Sequence, residues 1–112
     1  MSSPSKPVTV VITCAIRPEK LIMAKRALNN VIKTVISIEK ACKGIQVHQD
    51  PDHPQRLLII ERWDSKEIFL GAHMQTHHMI AFLKLAKSFL DGEAVFNFWN
   101  EMPLPSLTAL VL

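Results

Sequence analysis

The acid–base and aromatic side chains of this sequence gather in one stretch. It reads E-R-W-D-S at Glu61–Ser65, then A-H-M-Q-T-H-H-M-I-A-F at Ala72–Phe82. A carboxylate, an indole and two or three imidazoles therefore fall near one strand-to-helix junction. Imidazole is the side chain whose ordinary pKa suits proton transfer near neutral pH. His73 is thus the candidate general base, or the group that orients a substrate proton. The competing reading makes it a cation at the C-terminus of a short helix. His78, in the first turn of the next helix, reads as a hydrogen-bond partner or substrate-binding group, and His77 as a surface residue. Trp63 offers a stacking face for an aromatic ligand, or a large core residue sealing sheet against helix. Glu61 shares its strand face with Trp63. Buried there it needs a partner, with a histidine or Arg17 as the alternatives. Arg17 and His48, near strand ends, are candidates for a polar substrate. Asn97 and Trp99 share a face of the last strand and are weaker ones.

Metal chemistry is not expected. His73 and His77 are four apart, but Gln75–Thr76 interrupts their helix and the spacing supplies no third ligand. Cys14 and Cys42 fit neither a zinc spacing nor C-x-x-C and read as small buried hydrophobes.

The elements that must position these residues follow from periodicity. Val8–Ile16 is β-branched and apolar on both faces, the mark of a covered central strand. Pro18 suits a first helical turn. Leu21, Ala24, Leu28, Val31, Val35 and Ile38 then recur at helical spacing, which predicts a helix to about Lys40 and a turn at Gly44. Ile45–Gln49 and Arg56–Trp63 read as strands around the turn D-P-D-H-P (Asp50–Pro54). Ser65 is a helix cap. Helices follow over Lys66–Met74 and His77–Leu90, with Thr76 able to cap the second. A turn at Asp91–Gly92 leads to a strand over Ala94–Asn100. The order βαββαβ predicts an α+β, ferredoxin-like fold with a four-stranded antiparallel sheet and helices on one face. The other sheet face stays apolar, so a partner chain, and hence a homodimer, is expected to cover it.

At 112 residues the chain is one domain, 48% apolar and only 6% aromatic, with no Tyr. Its expected divisions are a loose start at 1–7, the folded unit at 8–102 and an apolar tail at 103–112 that docks on the partner. The formal charge is +3, from 13 basic and 10 acidic residues. Lys20, Lys25, Arg26 and Lys33 lack accompanying stacking aromatics, so they read as a solvated helix face and nucleic acid is not expected. The start M-S-S-P-S-K-P has no apolar run behind a basic head, and no window has the length of a membrane span. A soluble, cytoplasmic protein is the expectation.

With these residues laid out, the chain resembles the antibiotic biosynthesis monooxygenase family, and within it the quinol monooxygenases. E-K-A-C-K-G (Glu39–Gly44) is similar to the family's helix-to-strand turn. Glu61 and Trp63 match its E-x-W strand end, and Ala72–Phe82 its helix-break segment with two histidines five apart. The resemblance spans roughly residues 8–100. It implies a dimeric α+β barrel whose sheets pack face to face, with a pocket between sheet and helices in each subunit. It also implies oxygenation of an electron-rich quinol, anthrone or polyketide-like substrate with O2 and no cofactor. The chain departs from the pattern at Ile45, where an aromatic is common, and at His77, where Pro is usual. Thr13 stands where haem-degrading members have Asn, which points away from that activity. The alternative from another class is a non-catalytic dimeric small-molecule-binding or stress-associated protein. An apolar pocket with His73 facing inward favours the enzyme; a pocket filled by the protein's own Met, Phe and Leu favours the binding module.

Overall fold

The computed structural model describes residues 6–105. Four strands and three α-helices alternate along them: β1 (Val8–Ala15), α1 (Leu21–Ile38), β2 (Cys42–Gln49), β3 (Arg56–Trp63), α2 (Lys66–Leu70), α3 (His77–Ala86) and β4 (Val95–Trp99). The sheet order is β2-β3-β1-β4 with every neighbour antiparallel. This is the ferredoxin-like α+β architecture expected from the sequence. β1 is central, pairing with β3 from Val8↔Trp63 to Ala15↔Arg56 and with β4 from Thr9↔Trp99 to Thr13↔Val95. Ile16 extends it by a single bridge to Leu90.

The two-residue period sorts the sheet. Val8, Val10 and Ile12 of β1, with Leu57, Ile59, Glu61 and Trp63 of β3, are buried on the helix-covered face. From α1 they meet Ala24, Leu28 and Val35, and from the α3 region Met79, Ala86 and Phe89. On the other face Val11, Leu58 and Ile60 are half-buried, while Val95 and Trp99 are 54% and 60% exposed.

Several boundaries differ from expectation for local reasons. Pro18–Lys20 is a 3-10 turn leading into α1. Ile38, expected on the core face, is exposed, because α1 ends there and Glu39 takes extended backbone. Gly44 is not the turn into β2. The turn is at Glu39–Ala41, and Gly44 sits within β2 at a register shift opposite β3, as a bulge that glycine eases. The helix expected over Lys66–Met74 stops at Leu70. Gly71 follows it, where a Cβ would lie 2.9 Å from the Glu67 carbonyl oxygen. His73–Gln75 then forms a separate 3-10 turn, so His73 opens that turn rather than closing α2. Both expected caps form: Ser65 Oγ accepts from Ile68 N–H at 3.1 Å and Thr76 Oγ1 from Met79 N–H at 3.2 Å. α3 ends at Ala86, short of the expected Leu90. Gly92 turns the chain into β4 with φ +86°, a conformation that favours glycine. No helix among the described residues is long and apolar enough to cross a membrane. The expected loose start lies mostly outside the described residues, and so does the tail beyond Pro105.

Candidate active site

A chain reversal brings the site together. The 3-10 turn after α2 drives His73 back under the sheet end, where only 2% of it is exposed. Thr76 fixes this turn from both sides. Its Oγ1 donates to the His73 carbonyl at 2.8 Å and accepts the first-turn N–H of α3. The His73 ring packs on Trp63 (centroids 4.3 Å) and lies nearly parallel to Phe69 (5.2 Å, 28°).

The partner of His73 is Glu39, at the C-terminal end of α1. His73 Nδ1 lies 2.9 and 3.0 Å from the two carboxylate oxygens. His78 Nε2, from the first turn of α3, lies 2.6 Å from Oε2 of the same group. A carboxylate only accepts, so each imidazole carries its proton on the nitrogen facing Glu39. That fixes His73 as the Nδ1–H tautomer and leaves its Nε2 as an acceptor, the orientation a general base requires. Burial holds the His73 pKa below the ordinary histidine value, with Glu39 opposing the shift and His78 adding to it. The ring is therefore neutral, and able to accept a proton, near pH 7.

Trp63 is 1% exposed and packs edge-on to Phe69. Its Nε1–H donates to Glu61 Oε1 at 2.8 Å. Glu61 is buried, and desolvation pushes its pKa up; the Trp63 hydrogen bond opposes this and the nearby Glu39 charge reinforces it.

Beside these groups lies a cavity of about 100 Å3. β1 and β3 form its floor, α1 and α3 its roof. Phe69, Phe82, Phe89 and Phe96 supply aromatic walls, and Met74 and Met79 adaptable ones. Glu61, His73 and Cys14 are the polar or titratable residues in its lining, and burial raises the Cys14 thiol pKa. Apolar cavities of about 150 Å3 hold benzene, so the space admits one ring at most, and only as the adaptable Met walls give way.

The sequence candidates separate accordingly. His73 and Glu61 both reach the cavity. Trp63 stands behind them, spent on packing and on the Glu61 hydrogen bond. His78 lines a groove between α1 and α3 instead. Arg17 is exposed at the opposite end of β1, where its Nε donates to the Leu90 carbonyl at 3.2 Å. Asn97 pairs opposite Val11 on the uncovered sheet face, away from the cavity. Glu39 is the residue that sequence reasoning passed over. Its signal was present in E-K-A-C-K-G, but nothing in that motif says it will meet histidines 34 and 39 positions later.

Residues 7–85 match the family model for antibiotic biosynthesis monooxygenases. The chain belongs to the antibiotic biosynthesis monooxygenase family. The match runs from the foot of β1 to the end of α3, so it includes Glu39, Glu61, His73 and His78. Solved structures share the family fold. A candidate antibiotic biosynthesis monooxygenase from Caulobacter crescentus CB15 superposes with TM-score 0.81 at 17% identity, covering 89% of this chain and 93% of that one. A conserved protein from Methanosarcina mazei Go1 gives 0.78 at 22% identity, with 88% and 96% covered. A candidate antibiotic biosynthesis monooxygenase from Nitrosomonas europaea gives 0.79 at 14%, with 91% and 96% covered. At these identities the likeness concerns the fold alone. Comparison with curated proteins gives no match. Within the family frame, one carboxylate, Glu39, holds two imidazoles, of which His73 lines the cavity.

Proposed function

We propose that this family member is a cofactor-independent monooxygenase acting on a small electron-rich aromatic such as a single-ring quinol. One observation carries the reading: a buried imidazole, locked by Glu39 with its acceptor nitrogen unshared, lines a largely apolar cavity. The substrate's acidic proton passes to His73 Nε2. The imidazolium so formed is balanced by the Glu39 carboxylate, which His78 holds in place. The substrate anion, poorly solvated in the cavity, transfers an electron to O2, and the two radicals combine to form a C–O bond. Loss of water completes the reaction. The substrate supplies all four electrons, one oxygen atom stays in the product and the other leaves as water. The reaction class thus calls for neither flavin nor metal. Glu61 faces the same space as a substrate-binding group. Arg17 and Asn97 lie outside the cavity and take no part. A second copy of the chain, covering the sheet face of Val11, Leu58, Ile60, Val95 and Trp99, belongs to the proposal.

The test is aerobic O2 uptake by chelator-treated protein with a panel of hydroquinones. Uptake above background is expected, and His73→Ala should reduce it by about 10²–10⁴-fold, the usual range for general-base assistance. If no substrate is turned over while a ligand still binds in the cavity, the protein is a binding module of the same fold. Wild-type turnover by His73→Ala would keep the reaction and remove His73 as the base.

A further inference from the structure

Glu61 and His73 face one cavity, each with one polar atom already committed. Glu61 Oε1 accepts from Trp63 and His73 Nδ1 donates to Glu39. Glu61 Oε2 and His73 Nε2 have no hydrogen-bond partner among the described residues. Yet no buried side-chain nitrogen or oxygen there is left unpartnered. The two atoms are therefore not sealed in packing; they abut open space, and the open space both residues line is the cavity. Among the described residues, no lysine or arginine is in its lining. The titratable groups around the pair are Glu39 after α1, Cys42 of β2, Cys14 of β1 and His78 of α3.

We infer that the cavity selects an uncharged, single-ring ligand carrying both a hydroxyl donor and an oxygen acceptor, with Glu61 acting as a neutral carboxylic acid that donates to the ligand while His73 accepts from it. The inference rests on the reading of this cavity as the substrate site and names what that site admits. An anion would enter an apolar space without a cation to meet it, beside a carboxyl group, and its desolvation would go uncompensated. A neutral diol-type ring meets one donor and one acceptor already in place. Trp63 holds Glu61 in the required arrangement: its N–H occupies the carbonyl-like oxygen Oε1, so the acid proton resides on Oε2, facing the ligand. The pair must be neutral together. That condition requires the folded-state pKa of Glu61, which burial raises, to lie above that of His73, which burial depresses.

Binding under argon separates this from the oxidation chemistry. Isothermal titration calorimetry between pH 5 and 9 would use hydroquinone, 1,4-dimethoxybenzene and 4-hydroxybenzoate. Hydroquinone should bind with a bell-shaped pH dependence. The dimethyl ether, which cannot donate to His73, should bind about tenfold more weakly, the scale of one hydrogen bond. The benzoate anion should not bind. Glu61→Gln keeps an amide donor, so it should retain hydroquinone binding but lose the decline at high pH. Glu61→Leu should weaken binding about tenfold at the wild-type optimum and also lose the decline at high pH, with circular dichroism confirming its fold. Hydroquinone affinity that is flat with pH in the wild type, equal binding of the anion, or no binding by any of the three would overturn the inference. Binding as described without O2 uptake leaves it standing and defeats the oxygenase. Turnover with pH-independent binding does the reverse.

Discussion

Burying two titratable side chains in opposite protonation preference makes stability depend on pH in two directions. His73 has its pKa lowered from 6.5, so between the folded value and 6.5 the unfolded chain binds more protons. Stability from this residue is full above 6.5 and falls on acidification. Glu61 has its pKa raised from 4.5, so there the native state binds more protons. Its contribution is full below 4.5 and is lost as pH rises through the folded value. Glu61→Gln should therefore gain stability relative to wild type as pH rises from 5 to 8; urea unfolding at a pH series measures the difference, and a constant offset would contradict the burial argument. Glu39→Ala leaves the buried Nδ1–H of His73 without an acceptor, which should cost about 1–3 kcal/mol by the same method. That His73 and Glu61 come near one another was legible from E-x-W and the paired histidines, and both line the cavity. Glu39 was not, because a carboxylate at a helix end looks solvent-facing until the two distant imidazoles are folded onto it. Trp63 was read correctly as a large residue at the junction, but its stacking role does not follow: the aromatic walls come from phenylalanines scattered over α2, α3, the turn after α3 and β4, with no sequence pattern linking them.

Among the elements, caps and strands were legible because each rests on local chemistry: Ser65 and Thr76 bond their own helix turns, and β1 carries β-branched and apolar residues along its length. What the sequence did not disclose were the ends set by sterics. α2 stops because Gly71 lets the chain pass close to the Glu67 carbonyl. Gly71→Ala should destabilise the fold and displace His73, lowering thermal stability and, under the proposed chemistry, O2 uptake; a variant with unchanged melting would show that the backbone relaxes around the added methyl. Thr76→Ala removes both the α3 cap and the tether on the His73 carbonyl. It should cost about 1 kcal/mol in stability, readable by denaturant unfolding. Ser65→Ala, a cap with no tie to His73, should cost a similar amount, and under the proposed chemistry only the Thr76 variant should also slow turnover.

For the whole molecule, the helices account for one sheet face and leave the other with half-buried and exposed apolar residues. The proposed homodimer would cover it with an interface of about 2,000 Å2 or more in total, the scale of obligate dimers. Val11→Asp together with Trp99→Lys should yield monomer or aggregate in sedimentation velocity, and a wild-type chain that sediments as a folded monomer at micromolar concentration would refute the dimer. The apolar tail, which lies beyond the described residues, can be tested in the same experiment by truncation after Pro105. The central place of β1 has another consequence, for biosynthesis. The first strand made pairs with the third and the last, so after Ile16 leaves the ribosome its partner β3 does not begin until Arg56. At roughly 5–20 residues per second, about 40 residues take roughly 2–8 s. Through that interval a strand that is apolar on both faces has no sheet to join. The nascent chain is then most in need of a chaperone before its midpoint, long before any of the site exists.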